Sequence, residues 1–169
     1  VQYNHDIAYR EVVYVIKVGI VGANGYAGGE LMRILLRHPE AQLVYVGSRS
    51  EAGKKVSDVM PAVPKWYGLV FEEPTVEGMI ERCDVIFTAT PRGAGMPYGA
   101  AAAEAGKRLI DIGTDFRFRN AAIYEEWYGV EHTCPEISRK AVYGLPELFR
   151  DDIKNSMIVG NPGCYPTSV

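Results

Sequence analysis

Cys164 lies in Gly160-Asn161-Pro162-Gly163-Cys164-Tyr165-Pro166-Thr167-Ser168, a tight Gly/Pro turn directly after the apolar run 157–159. Pro166 and the hydroxyls of Thr167 and Ser168 suit the first turn of a helix. A thiol at a helix N-terminus faces unpaired N–H groups and the positive end of the dipole. Both favour the thiolate, the nucleophilic form. The turn therefore reads as a nucleophilic cysteine between a strand and a helix. The bland alternative is a small buried thiol, the usual fate of a free cysteine. Cys83, at the start of an apolar strand, and Cys134, beside Pro135, fit that alternative better.

A second chemical element is Gly22-Ala23-Asn24-Gly25-Tyr26-Ala27-Gly28. Small residues between a strand and a helix let the backbone approach a pyrophosphate, and the helix start supplies aligned N–H donors. Glycine also marks plain turns, so the flanking strand and helix carry the argument. Gly22, Asn24, Gly25, Tyr26, Ala27 and Gly28 are the candidate dinucleotide contacts. No Gly-Lys-Ser/Thr follows, so the turn is not a Walker A loop. NAD-type folds place an acidic residue roughly 20 residues on, to hold the ribose hydroxyls. Here that region reads Gly47-Ser48-Arg49-Ser50. A guanidinium between hydroxyls suits a 2′-phosphate, so Ser48, Arg49 and Ser50 favour NADP(H) over NAD(H). Arg49 as a solvated surface arginine is the alternative.

The elements that must position these residues follow from the pattern. Residues 15–21 form a β-branched, buried strand ending at Gly22. A helix follows with Leu31, Ile34 and Leu35 on one face, stopped by Pro39. Further strands are expected at 43–46, 84–89, 108–112 and 157–159. Helices are expected at 75–82, 100–105 (closed by Gly106) and 148–154. Residues 51–74 and 115–138 read as irregular or short pieces. Strands alternating with helices predict an α/β fold, a doubly wound Rossmann-type parallel sheet with right-handed crossovers. Residues 17–160 are expected to form the dinucleotide-binding domain, and 161–169 to begin a catalytic domain. Residues 1–16 read as an extension, an expression remnant or an extra strand at 11–16.

With 169 residues, 47% apolar and 23% charged, the composition is that of an ordinary globular domain. A net charge of −3 gives no reason to expect nucleic acid or an anionic membrane as partner. No apolar run approaches the roughly 20 residues that span a bilayer. Three widely spaced cysteines make neither a disulfide framework nor a metal pair, so no metal and a cytoplasmic setting are expected.

With both ends in view, the chain resembles the N-acetyl-gamma-glutamyl-phosphate reductases of the arginine pathway. The resemblance rests on Val18-Gly19-Ile20-Val21-Gly22-Ala23-Asn24-Gly25-Tyr26-Ala27-Gly28, Ser48-Arg49-Ser50-Glu51-Ala52-Gly53-Lys54 and Asp111-Ile112-Gly113-Thr114-Asp115-Phe116-Arg117. Trp127-Tyr128-Gly129 with His132, Ala141-Val142-Tyr143-Gly144-Leu145-Pro146-Glu147 and the cysteine turn complete it. Ordered motifs from about residue 17 to the end are far more specific than any one of them. The resemblance implies NADPH-dependent reduction of an acyl phosphate to the semialdehyde. Cys164 would form a thioester and phosphate would be released. It also implies a homo-oligomeric full-length enzyme whose acid/base histidine lies after Val169, so this piece is expected to bind NADPH with little turnover. Two positions depart from the family pattern. Arg92 stands in a turn where the family has histidine, and Gly113 stands where it has serine. Related acyl-phosphate reductases of the lysine or aspartate-semialdehyde type, or a binding fragment without turnover, are the alternatives.

Among single residues, Arg117 is the candidate contact for a substrate oxyanion or phosphate, or else an ion-pair partner of Asp115 or Asp111. Asn161 is a second substrate candidate. His132, in an aromatic segment, reads as a packed, hydrogen-bonded histidine, and His38 as a favourable cation at a helix C-terminus. Tyr124, Trp127 and Tyr128 read as core aromatics.

Overall fold

The computed structural model describes residues 15–169. The extension and possible strand expected within 1–16 lie outside the described residues up to position 14, and Ile16 opens the first strand. That strand, β1 (Ile16–Val21), leads through the glycine turn into α1 (Tyr26–Leu35), and β2 (Ala41–Gly47) follows. Next come α2 (Val56–Val59), α3 (Val76–Arg82), β3 (Val85–Thr88), α4 (Met96–Glu104) and β4 (Arg108–Asp111). The last part holds α5 (Ala121–Tyr128), α6 (Pro135–Lys140), β5 (Val142–Tyr143), α7 (Pro146–Asn155), β6 (Ile158–Gly160) and α8 (Cys164–Ser168).

The six strands form one sheet in the order β2-β1-β3-β4-β6-β5, every pair parallel. The expected doubly wound α/β fold is therefore present. Because all strands run the same way, the turns that follow them gather at a single edge. The strand order reverses between β1 and β3, and a crevice opens there in such sheets.

Two apolar layers cover the sheet. Val18, Ile20, Met32, Val46, Val56 and Phe71 pack on one face. Val21, Met79, Cys83, Ile86, Leu109, Phe116 and Ile158 pack on the other. Alternation along β1 assigns the faces: Val18 and Ile20 point one way, Gly19 and Val21 the other. Gly19 is small because α3 lies against it; a Cβ there would meet Cys83 Sγ at 2.5 Å. The β1–β2 register slips between Val18 and Gly19. This bulge puts Val44 and Tyr45 on the same face, so Leu43 and Val46 both reach the opposite layer.

Several expectations shift in detail. In α1 the buried stripe is Gly28, Gly29, Met32 and Leu35, while Ile34 is exposed. The close approach of glycines to the sheet, which hydropathy does not register, sets that face. The alanine-rich helix starts four positions earlier than expected, at Met96, with Pro97 in its first turn. The stretch 51–74 contains α2 and a 3-10 turn, Lys65–Tyr67, and inserts Phe71 into the core. The two-residue β5 is too short to leave a periodic signal.

Candidate functional site

The glycine turn is built from backbone and from missing side chains. Gly22 has φ +82, and its N–H and that of Ala23 both donate to Gly47 O at 3.0 Å. A Cβ on Gly22 would overlap Ala89 O, and one on Gly28 would sit 2.7 Å from Ala23 Cα. Helix α1 thus begins flush against the end of β1. Gly25 is its N-cap and no side chain caps it, so the first-turn N–H groups have no intrahelical acceptor. No acidic residue occupies that turn. Such an end suits an anionic group.

The turn after β2 joins the same cleft. Asn24 Nδ2 donates to Ser50 Oγ at 3.0 Å, and buried Ser48 accepts from Glu51 N at 3.2 Å. Arg49 is exposed and makes no hydrogen bond or ion pair among the described residues. Pro74, Ala89, Thr90 and Pro91 close the other wall. Buried Thr90 Oγ1 has no hydrogen-bond partner among the described residues. In the sequence Thr90 is marked only by its place in the turn after β3, beside the reversal of strand order. An open helix start, a free guanidinium and an orphaned hydroxyl around one cleft fit a phosphorylated dinucleotide. Gly22, Asn24, Gly25, Ser48, Arg49 and Ser50 line this cleft, while Tyr26 and Ala27 are exposed on the first turn of α1.

The second half of the edge depends on buried side chains. Asp111, at the end of β4, accepts from Thr88 Oγ1 at 2.7 Å, Gly113 N at 3.1 Å and Asp115 N at 2.8 Å. Burial pushes its carboxyl above the ordinary carboxylate range, against the pull of these donors. Asp115 accepts from Gly93 N and Gly95 N, both at 2.8 Å, and from Tyr124 OH at 2.8 Å. Burial, followed by the bond to Asp115, raises the Tyr124 hydroxyl, so it stays a donor. Two carboxylates thereby tie the loop after β4 to the turn before α4.

Arg117 extends this network to the cysteine turn. Its Nε donates to Asn161 O at 2.9 Å, Nη2 to Gly113 O at 2.7 Å and Nη1 to Tyr128 OH at 3.1 Å. The alternative ion pair with Asp115 or Asp111 does not form, because both carboxylates are taken up by other donors. Asn161 N donates to Asp111 O at 2.8 Å, so Asn161 enters the site chiefly through its main chain. Arg117 Nη1 lies 3.7 Å from where a Gly163 side chain would begin. A half-buried cation without a carboxylate partner thus borders the turn that carries Cys164.

Cys164 is the first residue of α8 and is exposed. The hydroxyls expected to cap this helix instead donate backward: Thr167 to Gly163 O and Ser168 to Cys164 O, both at 3.0 Å. They stabilise the turn and leave the thiol free of them. The other two thiols differ. Burial holds Cys83 at about 11, and burial with the Asp115 charge holds Cys134 at about 11. His132 is buried, with Nε2 2.7 Å from Asp115 O and Nδ1 accepting from Cys134 N at 3.3 Å. Both nitrogens are engaged, as a packed histidine requires. His38 Nδ1 accepts from Glu40 N at 3.2 Å, beyond the far end of α1. Tyr124 is a core aromatic, but Trp127 is exposed on α5. Among the described residues no cluster is placed to hold a metal ion, and no helix is long and apolar enough to cross a membrane.

Residues 17–156 match the family model described as semialdehyde dehydrogenase, NAD binding domain. Curated relatives named N-acetyl-gamma-glutamyl-phosphate reductase are 50% identical. The one from Saccharophagus degradans aligns with 92% of this chain and 44% of its own length. The one from Halorhodospira halophila aligns with 92% and 45%. The chain thus spans under half the length of the curated relatives it matches. Among solved structures, an aspartate semialdehyde dehydrogenase with NADP from Candida albicans is 27% identical at a TM-score of 0.55, covering 63% of this chain and 32% of that one. Aspartate semialdehyde dehydrogenase II from Vibrio cholerae, 19% identical with a TM-score of 0.62 over 90% of this chain and 43% of that one, shares the fold.

Proposed function

We propose, from the premise that this chain belongs to the semialdehyde dehydrogenase NAD-binding domain family, that it is the cofactor-binding and thiol-bearing part of an NADPH-dependent N-acetyl-gamma-glutamyl-phosphate reductase. One observation carries the reading. The open start of α1 and the exposed Cys164 lie on one edge of the sheet, after β1 and β6. Three strand spacings separate those strands, about 14 Å at about 4.8 Å each. An extended dinucleotide bound by its pyrophosphate at α1 can reach across that distance. The curated relatives' names supply the substrate, and the Candida albicans relative, solved with NADP, supports the cofactor.

The first-turn N–H groups of α1 hold the pyrophosphate, and Gly22 and Gly28 let it come close. Arg49, flanked by Ser48 and Ser50, pairs with the 2′-phosphate, and Thr90 Oγ1 gains a partner. When bound, the nicotinamide supplies a hydride. Cys164 Sγ attacks the acyl carbonyl as thiolate. The new C–S bond forms, the C–O bond to phosphate breaks, and phosphate leaves with the bonding pair. A carboxylate resists hydride, whereas the thioester on Cys164 is a true electrophile. Arg117, with two of its five N–H groups uncommitted, stabilises the negative charge that develops at the substrate. Asn161 takes part through the main-chain carbonyl that orients Arg117.

The test is acylation. With the acyl phosphate, the protein should release phosphate and gain the acyl mass on Cys164 alone, read by peptide mass spectrometry. Cys164→Ser should abolish both signals. An adduct on Cys83 or Cys134, or phosphate release unchanged in the Cys164→Ser variant, would rule the mechanism out.

A further inference from the structure

Arg92 has no role in the scheme above. It is exposed, in the turn between β3 and α4, on the same edge as Cys164. It makes no hydrogen bond or ion pair among the described residues. Its guanidinium carbon instead lies 5.1 Å from the centroid of the Tyr128 ring. Stacking on an aromatic face holds an arginine in place while leaving its five N–H groups free, since the attraction runs through the π face. Tyr128 is half-buried, and its hydroxyl accepts from Arg117 Nη1 at 3.1 Å. One phenol therefore seats two guanidiniums, one over its ring and one at its oxygen. Asp115 forms an ion pair with neither, and its oxygens accept instead from Gly93 N, Gly95 N and Tyr124 OH. Glu125 Oε1 serves His132 N at 2.9 Å.

We infer that Arg92 is a further anion-binding residue of this site, paired with Arg117 through Tyr128, and that the pair receives the phosphate cleaved from the acyl phosphate. Two cations close together repel one another unless an anion lies between them, so the arrangement gains most when a dianion binds. Planar guanidiniums match phosphate oxygens bidentately. Arg92 makes the subsite prefer a phosphate dianion over a singly charged leaving group. The inference rests on Cys164 as the acyl acceptor, but its test does not.

Inorganic phosphate is titrated calorimetrically into the protein and into Arg92→Gln, Arg92→Lys, Tyr128→Phe and Tyr128→Leu variants. Phosphate protection of Cys164 from iodoacetamide is measured in parallel. Arg92→Gln should weaken phosphate binding by roughly tenfold and reduce the protection of Cys164 by a similar factor. Arg92→Lys should recover only part of the loss, since a point charge lacks the fork. Tyr128→Leu should match Arg92→Gln, while Tyr128→Phe, which keeps the ring, should lose less. Arg92 is exposed, so Arg92→Gln remains informative even if Tyr128→Leu fails to fold. Phosphate affinity unchanged in Arg92→Gln, or no phosphate binding by the parent at millimolar concentration, would overturn the inference. If Cys164 is acylated normally while Arg92 proves irrelevant, this inference alone fails. If phosphate binding depends on Arg92 but Cys164 takes no acyl group, the catalytic proposal alone fails.

Discussion

The two ends of the functional edge are built by opposite means. Around Gly22 and Gly28 the site consists of backbone groups and of space where no side chain fits. Around Cys164 it consists of side chains, with Asp111, Asp115, Tyr128 and Arg117 linking residues far apart in the chain. Arg117 and Asn161, for example, are 44 positions apart. A backbone site tolerates almost no added atoms but needs few particular side chains. A side-chain site tolerates small changes of volume but depends on every donor finding its acceptor.

The sharpest way to break the comparison is to add one carbon to the backbone half. Gly28→Ala places a Cβ 2.7 Å from Ala23 Cα, where only main chain could give way. It should cost about 3 kcal/mol of stability in urea unfolding and abolish NADPH binding. Gly53→Ala is the control. Gly53 has φ +84 but meets nothing within 4 Å, so strain alone, about 1 kcal/mol, should appear. Equal losses for the two would mean that α1 has room the structure does not show.

The side-chain half should yield to the loss of one acceptor. Asp115→Asn keeps the size but turns one oxygen into a donor facing an N–H of the β3–α4 turn, at Gly93 or Gly95. The expected cost is about 2 kcal/mol, with faster amide exchange at Gly93 and Gly95 and an intact glycine turn. Loss of NADPH binding in this variant would show that the two halves are not separable.

Arg49→Ala sharpens the cofactor assignment. It should weaken NADPH by about 1.5 kcal/mol, the low end for a charged hydrogen bond at an exposed site, and leave NADH nearly unchanged. Equal weakening of both cofactors would remove the basis for an NADP preference.

A separate check concerns pH. The folded state holds protons on Cys83 and Cys134 up to about 11, above the ordinary 9.0. Between these values the unfolded chain has released protons that the folded chain retains. Stability should therefore fall as pH rises from 9.0 towards 11 and level off above it. In the same samples Cys164, the exposed thiol, should be alkylated first at pH 8. Faster labelling of Cys83 would contradict the burial on which this rests.

The same contrast explains what could be read from the sequence. The glycine turn and the position of Arg49 after β2 were legible because local spacing encodes them: a strand, small residues, a helix. The strand-to-helix turn that carries Cys164 was legible from its Gly/Pro surroundings. The partners of Arg117 were not, because Asp115 lies two positions away and is the obvious ion-pair partner, yet it is consumed by two N–H groups and a tyrosine from other elements. Thr167 and Ser168 misled for a related reason. A hydroxyl near a helix start can cap forward or bond backward, and composition does not say which. Ile34 misled because hydropathy ignores how closely Gly28 and Gly29 bring the helix to the sheet.

The order of strands at the far side of the sheet carries a consequence for folding. Strand β5 precedes β6 in the chain but, among the described residues, pairs only with β6, which inserts between it and β4. β5 therefore has no ladder to join until β6 has docked on β4 and Asn161 N has found Asp111 O. The nucleotide half, from β1 to β3, can assemble from contacts already available. The thiol half can form the bonds of Asp111 to Thr88 and of Asp115 to Gly93 early, but it needs β6 before Arg117 reaches Asn161 O and Asn161 N reaches Asp111 O. During synthesis on the ribosome, the dinucleotide cleft would be in place while the cysteine turn was still to be closed.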